Sequence, residues 1–100
     1  MSATAEATVL ITHEVGLHAR PSVKLTKLAK SFPATVELAL DPAGPWIDAK
    51  SIVKVMAAKA PKGTLLHLRA RGEGARDAVD ALVGLVSRDF DEAGDHAESA

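Results

Sequence analysis

The stretch Gly16-Leu17-His18-Ala19-Arg20-Pro21-Ser22-Val23-Lys24-Leu25-Thr26-Lys27-Leu28-Ala29-Lys30-Ser31-Phe32-Pro33 contains a chain break, a helix start, an amphipathic helix and a helix stop. Proline is tolerated in the first turn of an α-helix and not further in, because it lacks an N–H and its ring clashes with the preceding turn. Pro21 therefore sets a helix start close to His18. Behind it, Leu25, Leu28, Ala29 and Phe32 recur at i, i+3, i+4 and i+7, one face of a helix. The residue before a proline avoids α geometry, so Phe32-Pro33 ends the helix. The expected element runs from about Ala19 to Ser31, with Gly16 breaking the chain before it.

The start of such a helix has a chemistry of its own. Its first N–H groups have no intrahelical partner, and the positive end of the dipole lies there. This makes it a ready anion site. A histidine can carry a phosphoryl group reversibly, because its ordinary pKa lies near neutrality and the ring serves both as nucleophile and as leaving group. The backbone N–H groups of Ala19 and Arg20 are expected to receive phosphoryl oxygens, and Arg20 adds a permanently charged donor fork. The competing reading is a histidine that caps the helix for structural reasons only, the commoner role for an isolated His.

Outward from this stretch, strands and helices alternate. Thr8–Thr12 is a short β-branched strand. Val36, Leu38 and Leu40 alternate with Thr35, Glu37 and Ala39, a half-buried strand. Asp41-Pro42-Ala43-Gly44-Pro45 is a turn, followed by a brief return strand at Trp46-Ile47-Asp48. Ser51 to about Ala58 reads as a short helix with Ser51 near its N-cap. Pro61-Lys62-Gly63 follows, and Leu66, Leu68 and Ala70 alternate in a fourth strand. A last helix is expected from about Ala75 to Phe90, with Val79, Leu82, Val83, Val86 and Phe90 on one stripe. Asp91 to Ala100 is acidic and small-residued, the composition of a frayed tail. The order is β-α-β-β-α-β-α in one domain, residues 1–100, an α+β class with a largely antiparallel sheet covered on one face by helices. Periodicity alone leaves a ferredoxin-like layer open.

Composition excludes several function classes. A chain of 100 residues with 47% hydrophobic and 25% charged side chains is ordinary globular chemistry rather than disorder. No apolar run approaches the length of a membrane span, so no membrane insertion is expected. Met1-Ser2-Ala3-Thr4 lacks the basic and apolar regions of a signal peptide, and a cytoplasmic location is expected. With no cysteine, disulfide and thiolate chemistry are absent. His13, His67 and His96 have no metal-ligand spacing, so neither a metal nor another cofactor is expected. Gly72-Glu73-Gly74 is a turn, not a nucleotide loop. The net charge of −1 hides an asymmetry: residues 18–62 hold eight bases and three acids, the remainder four bases and ten acids. The basic half therefore suits acidic partners. With three aromatics, nucleic-acid binding is a poor reading.

Gly16-Leu17-His18-Ala19-Arg20-Pro21, followed by Ala49-Lys50-Ser51-Ile52-Val53 and Pro61-Lys62-Gly63, resembles the HPr family over roughly Ala5 to Glu92. These are the histidine-containing phosphocarrier proteins of the bacterial phosphoenolpyruvate-dependent sugar phosphotransferase system. The resemblance implies an HPr-like open-faced β-sandwich, four antiparallel strands under three helices. It implies phosphorylation of His18 at Nδ1 by Enzyme I, transfer to sugar-specific IIA domains, and a carrier that is not a multi-turnover enzyme. It matches Ser51 to a regulatory phosphorylation site, with an HPr kinase/phosphorylase and a transcriptional regulator as further partners. It also places Ile52, Val53 and Met56 at an exposed docking centre, ringed by Arg20, Lys24, Lys27 and Lys54.

Each of these has a plainer alternative. Ser51 serves as an N-cap without any phosphate, and Ile52, Val55 and Met56 have the spacing of core residues; Val53 is expected exposed and Val55 buried. Lys59 replaces the family's usual glycine and is expected either to prolong the helix or to alter the kinase-binding surface. His13 is close enough in sequence to tune His18. His67 is expected on the solvated sheet face. Three functional classes remain: a sugar-transport phosphocarrier acting as an exchangeable monomer, an HPr-like regulatory protein signalling phosphorylation state, and an unrelated ferredoxin-like module.

Overall fold

The computed structural model describes residues 3–14, 16 and 19–91. Its elements are β1 (Thr4–Leu10), α1 (Ala19–Lys30), β2 (Thr35–Ala39), β3 (Ile47–Asp48), α2 (Ile52–Ala58), β4 (Leu65–Arg71), α3 (Ala75–Ser87) and a one-turn 3₁₀ segment at Asp89–Asp91. The strands form one antiparallel sheet in the order β1-β4-β2-β3. The ferredoxin-like alternative is set aside in favour of the open-faced sandwich.

β4 lies between β1 and β2, pairing Leu66 with Val9 and Leu68 with both Ala7 and Leu38. Because side chains alternate across a strand, Leu66, Leu68 and Ala70 enter the core with Val36 and Leu38. They meet Leu25 and Ala29 of α1, Val55 of α2, and Ala78, Val79, Leu82 and Val86 of α3. His67 and Arg69 take the opposite, open face, as expected for His67. There Arg69 donates from Nε to Glu37 Oε1 at 2.8 Å and lies 4.0 Å above the Trp46 ring.

Several boundaries differ from the sequence expectation. β1 starts at Thr4 and ends at Leu10, because pairing along the whole length of β4 overrides the weak strand preference of Ala5 and Ala7. β2 ends at Ala39, so Ala39 is buried and Leu40 is exposed, the reverse of the expected alternation. α3 ends at Ser87 rather than Phe90, and the next turn runs through the left-handed region at Asp89, Phe90 and Asp91, with φ of 54°, 58° and 60°. Phe90 still reaches the core, fully buried, by this turn instead of by a helical stripe. The expected frayed tail began at Asp91, which instead closes this turn with its carboxylate bonded to Arg88; residues 92–100 lie outside the described residues.

α2 ends at Ala58 as the sequence suggests, and of the two alternatives for Lys59 the prolonged helix is set aside. Lys59 adopts φ 52°, ψ 43° as the helix C-cap, and its N–H donates to the Met56 carbonyl. It takes the left-handed geometry that glycine would supply, so the helix stops where the chain must turn toward β4. A non-glycine residue is held there at a cost of roughly 1–2 kcal/mol. Lys59→Gly is expected to raise stability by about 1 kcal/mol, several degrees in Tm by thermal denaturation.

Candidate functional site

The site is built at the opening of α1. Ala19 and Arg20 are exposed, whereas Pro21 and Ser22 are buried. One side of the first turn is thus rooted in the core while the other faces solvent with the amide-rich end of the helix. His18, the residue before Ala19, lies outside the described residues, as do Val15 and Leu17. An exposed helix start contributes about 0.3–1 kcal/mol to a nearby anion. That suits a group which has to be handed on.

Two contacts fix the chain on either side of this opening. Gly16 donates its N–H to the His13 carbonyl at 3.1 Å and has φ +69°. A Cβ at Gly16 would lie 2.3 Å from the Ala60 carbonyl oxygen and 2.9 Å from Pro61 Cα. Both neighbours are backbone, so the entry to α1 rests directly on the α2–β4 connection and only glycine permits it. On the other side, Lys24 Nζ donates to the Phe90 carbonyl at 2.9 Å. The buried His13 ring meets Phe90 edge-on, centroids 5.8 Å apart and planes at 84°. Thr12 Oγ1 donates to Asp89 Oδ1. Within the same turn, the Arg88 guanidinium hydrogen-bonded to Asp91 holds that carboxyl below its ordinary range.

Ser51 is the N-cap of α2: its Oγ accepts from the Lys54 N–H at 3.3 Å, and its own N–H donates to the Asp48 carbonyl at 3.1 Å. α1 and α2 pack together. On α2, Val53 is 74% exposed and Val55 fully buried, as the spacing predicts. Met56 is 37% exposed and Ile52 half-buried. Arg20, Lys27 and Lys54 are exposed, and Val23, not singled out by the sequence, adds another exposed apolar side chain on α1. Lys24 departs from the expected ring around α2: its ammonium is engaged by the C-terminal turn, and the residue lines a groove with Leu28, Ser31, Leu85 and Arg88. Sequence reasoning also missed the Gly16 contact, where glycine read only as a breaker. No helix among the described residues is long and apolar enough to cross a membrane.

The fold is an open-faced sandwich in which an exposed helix start, Ala19–Arg20, follows the Gly16-Leu17-His18 segment in sequence. Comparison with known proteins agrees. Residues 5–88 match the family described as "PTS HPr component phosphorylation site". The phosphocarrier protein HPr of Pseudomonas putida is 43% identical over 84 residues, covering 84% of this chain and 92% of that protein. The phosphocarrier protein NPr of Escherichia coli K12 is 35% identical over 89 residues, covering 89% and 98%. The crystal structure of HPr-C-His from Thermoanaerobacter tengcongensis superposes with a TM-score of 0.81 at 31% identity, covering 88% of this chain and 97% of that one. The chain belongs to the HPr/NPr phosphocarrier family of the phosphotransferase system.

The Gly16 contact makes a direct prediction. Gly16→Ala places a methyl against backbone that cannot rotate away, in a conformation L-residues avoid, and is expected to cost about 2–4 kcal/mol. Urea denaturation measures it.

Proposed function

We propose that His18 is the phosphoryl acceptor, taking its group from phosphorylated Enzyme I and passing it to IIA domains in carbohydrate uptake. The observation that carries this reading is the exposed Ala19–Arg20 opening of α1 immediately after His18, in a chain whose family is described by its phosphorylation site. The Nδ1 lone pair of neutral His18 attacks phosphorus as the bond from phosphorus to the donor breaks; the reverse displacement delivers the group onward. Positioning and charge compensation do most of the work in such a transfer. The N–H groups of Ala19 and Arg20 receive the phosphoryl oxygens, and the Arg20 guanidinium offsets their charge. The protein is a covalent carrier, not a multi-turnover catalyst, acting as a monomer in the cytoplasm.

Partners dock, on this proposal, over Ile52, Val53 and Met56, with Arg20, Lys27 and Lys54 around them. Exposed Val53 and Met56 support the apolar centre, and the basic rim suits acidic partner surfaces. Lys24 is left out of the rim because its ammonium is engaged elsewhere. Ser51 is proposed as a regulatory phosphorylation site for a kinase/phosphorylase, with a transcriptional regulator downstream. Phosphate there adds about −1.5 to −2 charges at a helix start, which tolerates them, so inhibition would come through repulsion of acidic partners rather than unfolding. Relatives named NPr beside those named HPr support a second reading, in which the phosphorylation state of His18 is a signal rather than a transport flux.

The test is intact mass after incubating the full chain, and His18→Ala, with phosphoenolpyruvate and a bacterial Enzyme I. One acid-labile phosphate on the wild type and none on the variant is the expected result. No phosphate on either, with a cognate Enzyme I active on another acceptor, would remove the carrier reading.

A further inference from the structure

We propose that Phe90 is a positioning residue for phosphoryl transfer at His18, acting through a C-terminal turn that fixes both ends of the segment carrying the histidine. The inference rests on the reading of His18 as acceptor. The effect proposed for Phe90 is on the chain that presents the reacting group.

The turn Asp89–Asp91 makes three ties. Before His18, Thr12 is hydrogen-bonded to Asp89, and the buried His13 ring packs edge-on against Phe90 at 5.8 Å. After His18, Lys24 donates to the Phe90 carbonyl at 2.9 Å. One fully buried side chain and its carbonyl therefore link the strand exit with the second turn of α1. The turn itself has three consecutive non-glycine residues at positive φ. Such residues persist only where surrounding contacts over-determine them, and they concentrate at functional sites. An ordinary helix end with a polar terminus would have closed α3 without this geometry. The Gly16 contact with Ala60 and Pro61 anchors the same segment independently from the α2 side.

A misplacement of about 1 Å, introduced away from the chemistry, can cost a transfer reaction about a hundredfold. Phe90→Leu keeps most of the buried apolar volume and removes the ring edge contact to His13. Val36→Ala, in β2 and buried in the same core, serves as a destabilised control remote from the turn. The full-length variants are compared well below their melting temperatures in single-turnover reactions with phosphorylated Enzyme I in varied excess, kcat denoting the limiting rate of transfer and KM the concentration that gives half of it. Phe90→Leu is expected to lower kcat about tenfold or more with KM within about twofold, and Val36→Ala to stay within about twofold in both. Thr12→Val, which removes only the hydroxyl bonded to Asp89, is expected to lower kcat in the same direction, and Thr12→Ser to restore it.

Equal kcat values for Phe90→Leu and the wild type, or a parallel fall in Phe90→Leu and Val36→Ala, would overturn the inference. If Phe90→Leu does not fold, Thr12→Val decides alone, and an unchanged kcat there overturns it. A wild type that takes no phosphate on His18 is a separate failure, seen before any variant is compared, and removes the acceptor reading together with this one.

Discussion

The position of β4 between β1 and β2 is the constraint from which the rest of the structure follows. Its two ladders join the N-terminal strand to the middle of the chain and aim Leu66, Leu68 and Ala70 into the single core that all three helices cover. Its entry also locates the site. Gly63 donates to the Ile11 carbonyl at 2.7 Å, and Ile11 donates to the Thr64 carbonyl at 2.9 Å. Those bonds carry the chain leaving β1 past the α2–β4 connection, where Gly16 meets Ala60 and Pro61 backbone to backbone. The opening of α1 is placed by strand pairing, not by the site's own weak electrostatics.

This division suits a carrier. On the proposed reading, a helix start and one guanidinium would stabilise an exposed phosphoryl group by little more than thermal energy in water, too little to trap it. Speed would then come from positioning, and several residues of unusual backbone lie on chain that contacts the neighbourhood of α1's entry. Gly16 at positive φ, Lys59 at the end of α2 and the left-handed turn at Asp89–Asp91 all lie on chain that supports it. Each is a local departure from the preferred conformation, maintained by packing elsewhere.

Much of this was legible in the residues. Pro21 and the Leu25–Ala29 spacing place α1 within a residue, and Ser51 marks the start of α2, because these signals are local and steric. The alternation Leu66, Leu68, Ala70 yields the core face of β4. What local pattern could not supply were features decided by distant partners. Ala5 and Ala7 join a strand only because β4 pairs with them. Phe90 fits a helical stripe by spacing yet is buried from a left-handed turn. Lys24 looks like one more surface lysine until Phe90 offers it a carbonyl. Gly16 reads as a chain break until its missing Cβ is seen to face the Ala60 oxygen. The histidine and arginine were named from the motif alone; the buried face of α1 behind them bears out the helix, while their roles remain a proposal.

The central claim is that the phosphoryl group sits on the His18 ring, at the amide-rich opening of α1. Phosphorus-31 and nitrogen-15 magnetic resonance of the uniformly labelled, phosphorylated full chain tests it most directly. The account predicts one phosphoramidate signal coupled to a single His18 ring nitrogen, with the largest amide shifts on phosphorylation at Ala19 and Arg20. A phosphoester signal at Ser51, or a phosphohistidine at His13 or His67 that leaves the Ala19 and Arg20 amides unmoved, would contradict it.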